Sequence, residues 1–128
     1  MRGGTPLARV LGLGSAKQGA HHWWLERVTA VALVPLGVWL AFALLRAPGW
    51  DHASLITHFS HGVNPTLLLL TFLTMTWHSR LGVQVFFEDY VHAPALKTTV
   101  LLGVAFIHAL VAVAGSVAIL KIAFSQVT

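Results

Sequence analysis

His78 is the residue in this chain best suited to chemistry. It sits near the end of an apolar stretch of membrane length, and Asp89-Tyr90 follows eleven residues later. At about 100° per residue, eleven helical steps return to within roughly 20° of the start. An unbroken helix therefore puts His78 and Asp89 on one face, roughly 16 Å apart along the axis. Gly82, Thr74 and Thr71 fall on that same face. An imidazole bordered by a glycine and small hydroxyl residues offers a ligand nitrogen and room for a flat ring beside it. Ionisable residues within a bilayer are functional candidates by default.

Two readings of His78 stand side by side. In one it bonds a neighbouring helix, as polar side chains in membrane bundles do. In the other a ring nitrogen is an axial ligand of haem iron, a reading that Gly82 favours. A single histidine leaves the second axial position to be filled from elsewhere. Asp89 and Tyr90 also read two ways. They can be an ordinary polar helix end with its tyrosine in the interfacial belt. They can also be a hydrogen-bonding site for a lipid-soluble carbonyl compound such as a quinone, with the tyrosine hydroxyl as donor.

The elements that must position these residues are helical. The chain has 128 residues, of which 56% are hydrophobic and 9% charged. A water-soluble surface needs far more charge. Apolar stretches at Val28–Leu45, Val63–Phe87 and Thr98–Leu120 each reach the length that crosses a ~30 Å hydrocarbon core. The expected fold is all-α, an integral membrane protein with three transmembrane helices at about 27–46, 64–88 and 97–121. Residues 27–121 form the anchor domain, and residues 1–26 a cytoplasmic N-terminal segment. Asn64-Pro65 reads as an N-cap followed by proline at the first helical position. Pro35 can kink the first helix. The histidine-bearing connection between the first two helices has room for a short amphipathic turn. In the third helix the small residues Gly103, Ala105, Ala109, Ala112, Gly115 and Ser116 allow close helix approach.

The absence of cysteine excludes disulfides, thiolate-held iron–sulfur clusters and c-type haem attachment within this chain. Histidine, with eight copies, is the remaining ligand type for a redox centre. The formal charge of +4 concentrates at one end and carries topology information. Arg2, Arg9, Lys17 and Arg27 precede the first helix, and Arg80 and Lys97 flank the second loop, so the N-terminus is expected in the cytoplasm. No basic patch interleaved with aromatics suggests nucleic acid. Arg27 and Arg80 read as snorkelling cations, with propionate pairing the alternative for Arg27. Arg80 lies about 200° from His78 around the helix and points away from it. His108 reads as packing. His52, His58 and His61 have irregular spacing and no zinc framework.

Two motifs together resemble a known family. His21-His22-Trp23-Trp24-Leu25-Glu26-Arg27-Val28-Thr29-Ala30 precedes and opens the first helix, and His78 followed by Asp89-Tyr90-Val91 closes the second. With three apolar stretches and a basic N-terminal segment, they are similar to the smaller hydrophobic membrane anchor (the D subunit) of succinate dehydrogenase, respiratory complex II. The likeness covers roughly residues 12–121. The resemblance implies that His78 is one axial ligand of haem b, shared with another subunit, and that Tyr90 donates to ubiquinone with Asp89 in support. It puts Arg27 and His21 near the haem propionates or the quinone entrance, a place His22 could also fill. It gives Arg80 no role. The implied partners are a larger cytochrome b anchor (the C subunit), an iron–sulfur subunit, a flavoprotein subunit and membrane lipid. The implied location is the bacterial inner membrane, ahead of the mitochondrial one. The chain would serve electron transfer from succinate to quinone as a non-catalytic subunit, inactive alone. The alternatives are the anchor of a quinol:fumarate reductase, or a haem-free structural or assembly subunit.

Overall fold

A computed structural model of the chain describes residues 16–125. The segment before them, which carries Arg2 and Arg9, lies outside the described residues. Four helices follow one another: α1 (Ala16–Leu45), α2 (His52–Ser60), α3 (Asn64–Tyr90) and α4 (Pro94–Phe124). α3 is the middle layer, with α1 on one side and α4 on the other. Among the described residues α1 and α4 do not meet.

The expected helix at 27–46 begins instead at Ala16. Its apolar run does start near Arg27, but Ala16-Lys17-Gln18-Gly19-Ala20 and the following His-Trp pairs contain no proline. The hydrogen-bond ladder therefore runs on past the apolar boundary. α1 also passes through Pro35 without interruption. A proline there lacks one ladder bond, a loss that neighbouring groups in a membrane helix tolerate.

The short turn expected between the first two spans is a nine-residue helix. Asp51 caps it by accepting a hydrogen bond from the Ser54 amide at 3.0 Å. Gly49 is tied to this cap, because a Cβ there would fall 2.8 Å from Asp51 Oδ1 and 2.9 Å from Ser54 Oγ. At the far end Gly62 takes φ 61°, a left-handed value that glycine adopts without penalty. Phe59 is buried and meets Trp39 of α1 edge-on at 6.5 Å. Asn64 does not cap α3. Its side chain donates to His58 O at 2.8 Å, tying the end of α2 to the start of α3.

α3 is antiparallel to both flanking helices. Thr29 in the middle of α1 meets His78, while Ala43 near the C-terminal end of α1 and Asn64 at the start of α3 line a common cavity. On the other side Phe72 faces Gly115 and Ser79 faces His108. A Cβ on Gly115 would collide with the Phe72 ring, so glycine sets how closely α3 and α4 approach. Ala105, Ala109 and Ala112 face α3 around a cavity of about 250 Å³, whereas Gly103 has open space beside it.

Two helices are long and apolar enough to cross a membrane, Gly19–Leu45 and Pro94–Phe124. Core helices of soluble proteins are mostly buried, yet only 6% of the first apolar window and 0% of the second are buried. Val31, Val34, Phe106 and Leu110 are each at least two-thirds exposed. Apolar surface on this scale needs lipid or further protein against it. α3 has the length, 27 residues or roughly 40 Å, but carries His78, Arg80, Gln84, Glu88 and Asp89 and is the least apolar of the three.

Replacing Gly115 with alanine gains up to ~1 kcal/mol of helix propensity but forces overpacking that costs about 1–3 kcal/mol. The collision should win. Gly115→Ala is expected to lower the melting temperature of the assembled protein in detergent, with Phe72→Ala in the same chain restoring part of the loss. At the α2 cap, the hydrogen bonds from the Ser54 hydroxyl and amide hold the Asp51 carboxyl below its ordinary 3.8. A depressed carboxylate stabilises the fold above its unfolded value, and that support disappears as pH falls through the folded value. The protection of the Ser54 amide, its exchange compared with the intrinsic rate at the same pH, should therefore persist at neutral pH and fall only once acidification passes below 3.8.

Candidate functional site

The first helix carries four residues spaced by seven: His22, Thr29, Leu36 and Ala43. Seven residues are about two turns, so these positions form one stripe that drifts by only ~20° per step. Leu36 and Ala43 are buried, and Thr29 and His22 are half-buried. The stripe is the seam against α3. Along α3 the matching residues are Thr71 and His78, again seven apart, with Thr71 buried and His78 half-buried. Ordinary packing along an apolar seam therefore brings one hydroxyl of α1 to one imidazole of α3.

The contact is a hydrogen bond of 2.9 Å between Thr29 Oγ1 and His78 Nδ1. Thr29 Oγ1 also lies 2.9 Å from Leu25 O and 3.0 Å from Glu26 O, within its own helix. Its single hydrogen is donated to those carbonyls, the usual local bond of a mid-helix threonine. The oxygen then has lone pairs to accept from His78, which selects the tautomer that carries its hydrogen on Nδ1. Nε2 is left as the lone-pair nitrogen, and among the described residues it has no hydrogen-bond partner. Interhelical hydrogen bonds in membranes average only about 0.6 kcal/mol. That sum adds little to stability, so what the bond chiefly fixes is the orientation and tautomer of the ring.

Gly82, one turn beyond His78, is exposed, and a Cβ there would meet nothing within 4 Å. Gly82 thus leaves the helix face it shares with His78 open. α3 is unbroken from Asn64 to Tyr90, the condition under which His78 and Asp89 share a face. Both Asp89 and Tyr90 are exposed on its last turn. The Tyr90 ring is stacked on Phe86 at 4.6 Å, and the residue is 72% exposed. The antiparallel arrangement puts this turn at the same end of the molecule as His21, His22 and Arg27.

Arg27 is exposed and holds its guanidinium 5.1 Å from the Trp23 ring centre, one turn earlier. His21 is exposed as well. His22 is the inward member of the pair, and its Nε2 is shielded from solvent without a hydrogen-bond partner in the structure. Arg80 stacks over Trp77 at 5.3 Å and lines the α3–α4 cavity, away from His78. His108 is engaged on both sides: Nδ1–H donates to Val104 O at 2.8 Å, and Nε2 lies 3.4 Å from Ser79 Oγ. Among the described residues no three His, Cys, Asp or Glu side chains gather into a metal cluster.

A middle helix carrying His78 and ending in Asp89-Tyr90 is one layer of a membrane assembly, and comparison with known proteins gives it a family. The model of the succinate dehydrogenase/fumarate reductase transmembrane subunit matches residues 1–118. This chain belongs to that family. It is similar to the succinate dehydrogenase hydrophobic membrane anchor subunit of Rickettsia bellii, at 34% identity over 113 residues, covering 88% of this chain and 90% of the relative. The corresponding subunit of Rickettsia typhi is 36% identical over 105 residues, covering 82% and 84%. That of Paracoccus denitrificans is 30% identical over 114 residues, covering 89% and 88%. No solved structure matches the chain. The family is a transmembrane one, and this member is a membrane protein.

Sequence reasoning assigned no task to Thr29 and left His21 and His22 unresolved. Thr29 lies in the quoted first-helix motif, and the spacing of seven through His22, Leu36 and Ala43 was its available signal.

Proposed function

We propose that this membrane subunit is the hydrophobic anchor of a succinate dehydrogenase, with His78 binding one face of a haem b and Asp89-Tyr90 binding ubiquinone. The observation that carries the reading is the engagement of His78 Nδ1 by Thr29, which leaves Nε2 without a partner among the described residues, on a helix whose face at Gly82 is open. The donor set fits a haem shared between subunits, because one imidazole from this chain supplies one axial ligand. When bound, haem b supplies a one-electron redox couple within the membrane. A second ligand would come from the larger cytochrome b anchor, which would also cover the exposed apolar faces of α1 and α4.

All three long helices span the bilayer in this reading. α3 tolerates its polar residues in this reading because His78 and Ser79 bond neighbouring helices, Arg80 stacks on Trp77 and Gln84 bonds Glu88. Arg2, Arg9, Lys17 and Arg27 in the N-terminal part, with Arg80 in α3 and Lys97 in the first turn of α4, favour a cytoplasmic location for that end, in a bacterial inner membrane. There the iron–sulfur subunit delivers electrons that the flavoprotein subunit takes from succinate. Tyr90 donates its hydroxyl hydrogen bond to a quinone carbonyl oxygen, polarising it toward reduction, and Asp89 accepts a hydrogen bond that orients the site. Arg27 is available to carboxylates of the haem edge or the quinone entrance, and His21 to polar groups there. The same geometry would serve a quinol:fumarate reductase, since the partner centres set the direction; the names of the relatives favour succinate oxidation.

Two measurements on the assembled complex test this. His78→Ala should abolish the b-type signal in a reduced-minus-oxidised spectrum while the subunits still co-purify; an unchanged spectrum would make His78 a packing residue and leave a haem-free anchor. Tyr90→Phe should lower succinate:quinone activity about 100-fold, the low end for lost proton-donating assistance to a reacting group. Succinate oxidation with an artificial soluble acceptor should stay near wild type. Equal activities in both assays would refute the quinone role of Tyr90.

A further inference from the structure

We propose that Thr29 is the positioning residue for the haem ligand: its hydroxyl oxygen holds the Nδ1–H of His78, so that Nε2 alone faces the iron and its basicity is set from α1. The inference rests on the reading of His78 as a haem ligand. It extends the site from α3 to a residue on a different helix that needs no contact with the cofactor.

Three observations lead to it. The Thr29 Oγ1–His78 Nδ1 distance is 2.9 Å, a full hydrogen bond. The threonine hydrogen is directed to Leu25 O and Glu26 O at 2.9 and 3.0 Å, so the oxygen receives the imidazole hydrogen. The threonine is itself fixed by the seam in which Leu36 and Ala43 are buried, so the acceptor cannot swing aside without moving α1. A metal-binding histidine commonly donates its other ring N–H to an oxygen acceptor, which fixes the tautomer and raises the basicity of the ligating nitrogen. Here a hydroxyl already committed to its own helix takes that part. A purely structural hydrogen bond would tie the helices together equally well with either ring nitrogen. A positioning role demands Nδ1, and Nδ1 is the atom used.

The tests use the assembled complex and read the haem rather than turnover. Thr29→Val keeps the shape and removes the acceptor, Thr29→Ala removes it by a second route, and Thr29→Ser restores it. Without the acceptor Nε2 becomes a weaker donor to ferric iron, so the midpoint potential of the b-type signal should rise in the Val and Ala variants. Haem retention during dilution should weaken by roughly 10-fold, the low end for loss of an outer partner of a metal ligand. Thr29→Ser should return both to wild type. A wild-type potential and wild-type retention in the Val and Ala variants would overturn the proposal. So would a Ser variant shifted as far as Val, because packing would then account for the change. His78→Ala separates the two levels. If it keeps the b-type signal, the ligation itself is wrong; if it loses the signal while Val and Ala match wild type, His78 is a ligand without help from Thr29.

Discussion

The bond between Thr29 and His78 is the constraint on which the arrangement depends. It is weak as a source of stability, of the order of half a kcal/mol in a membrane setting. It is strong as a source of information, because it chooses one of two tautomers and one ring orientation. Everything around it supplies the register that makes the bond possible. The stripe of His22, Thr29, Leu36 and Ala43 sets the rotation of α1, and the link from Asn64 to the end of α2 pins the far end of α3. Gly115 against Phe72 sets the separation on the other side. A polar contact at mid-seam is thus purchased with apolar packing on either side of it.

The two faces of α3 do different things. The face toward α1 holds a histidine with one nitrogen committed and one free. The face toward α4 holds Ser79 against His108, where both imidazole nitrogens are occupied within the chain. An unsaturated polar atom within an apolar environment is costly unless a partner arrives to satisfy it. The unpartnered Nε2 of His78 is therefore, with the buried Nε2 atoms of His22 and His58, a position at which the chain is chemically incomplete. The exposed apolar flanks of α1 and α4 are incomplete in the same sense. Apolar surface of this extent belongs against lipid or further protein.

Much of this was legible in the sequence. The His78 to Asp89-Tyr90 spacing depends on helical geometry alone, and α3 is unbroken over that interval. The three long apolar stretches correspond to the three long helices. Thr29 was not legible, because which residue of α1 meets His78 depends on interhelical register. α1 is apolar on nearly every side, so its seven-residue stripe has little contrast with its surroundings. The early start of α1 was missed because apolarity marks where a helix enters lipid and says little about where its hydrogen bonds begin. The choice between His21 and His22 was equally hidden. Adjacent helical residues differ by about 100°, and only the packed structure shows His22 as the one turned inward.

The most direct test of the account is a side-chain-resolution density map of the complete complex with its cofactors. The account predicts the His78 Nε2 on the iron of a haem b, with Nδ1 still on the Thr29 hydroxyl. Haem density held entirely by other subunits, or a His78 ring turned so that Nδ1 meets the iron, would contradict it.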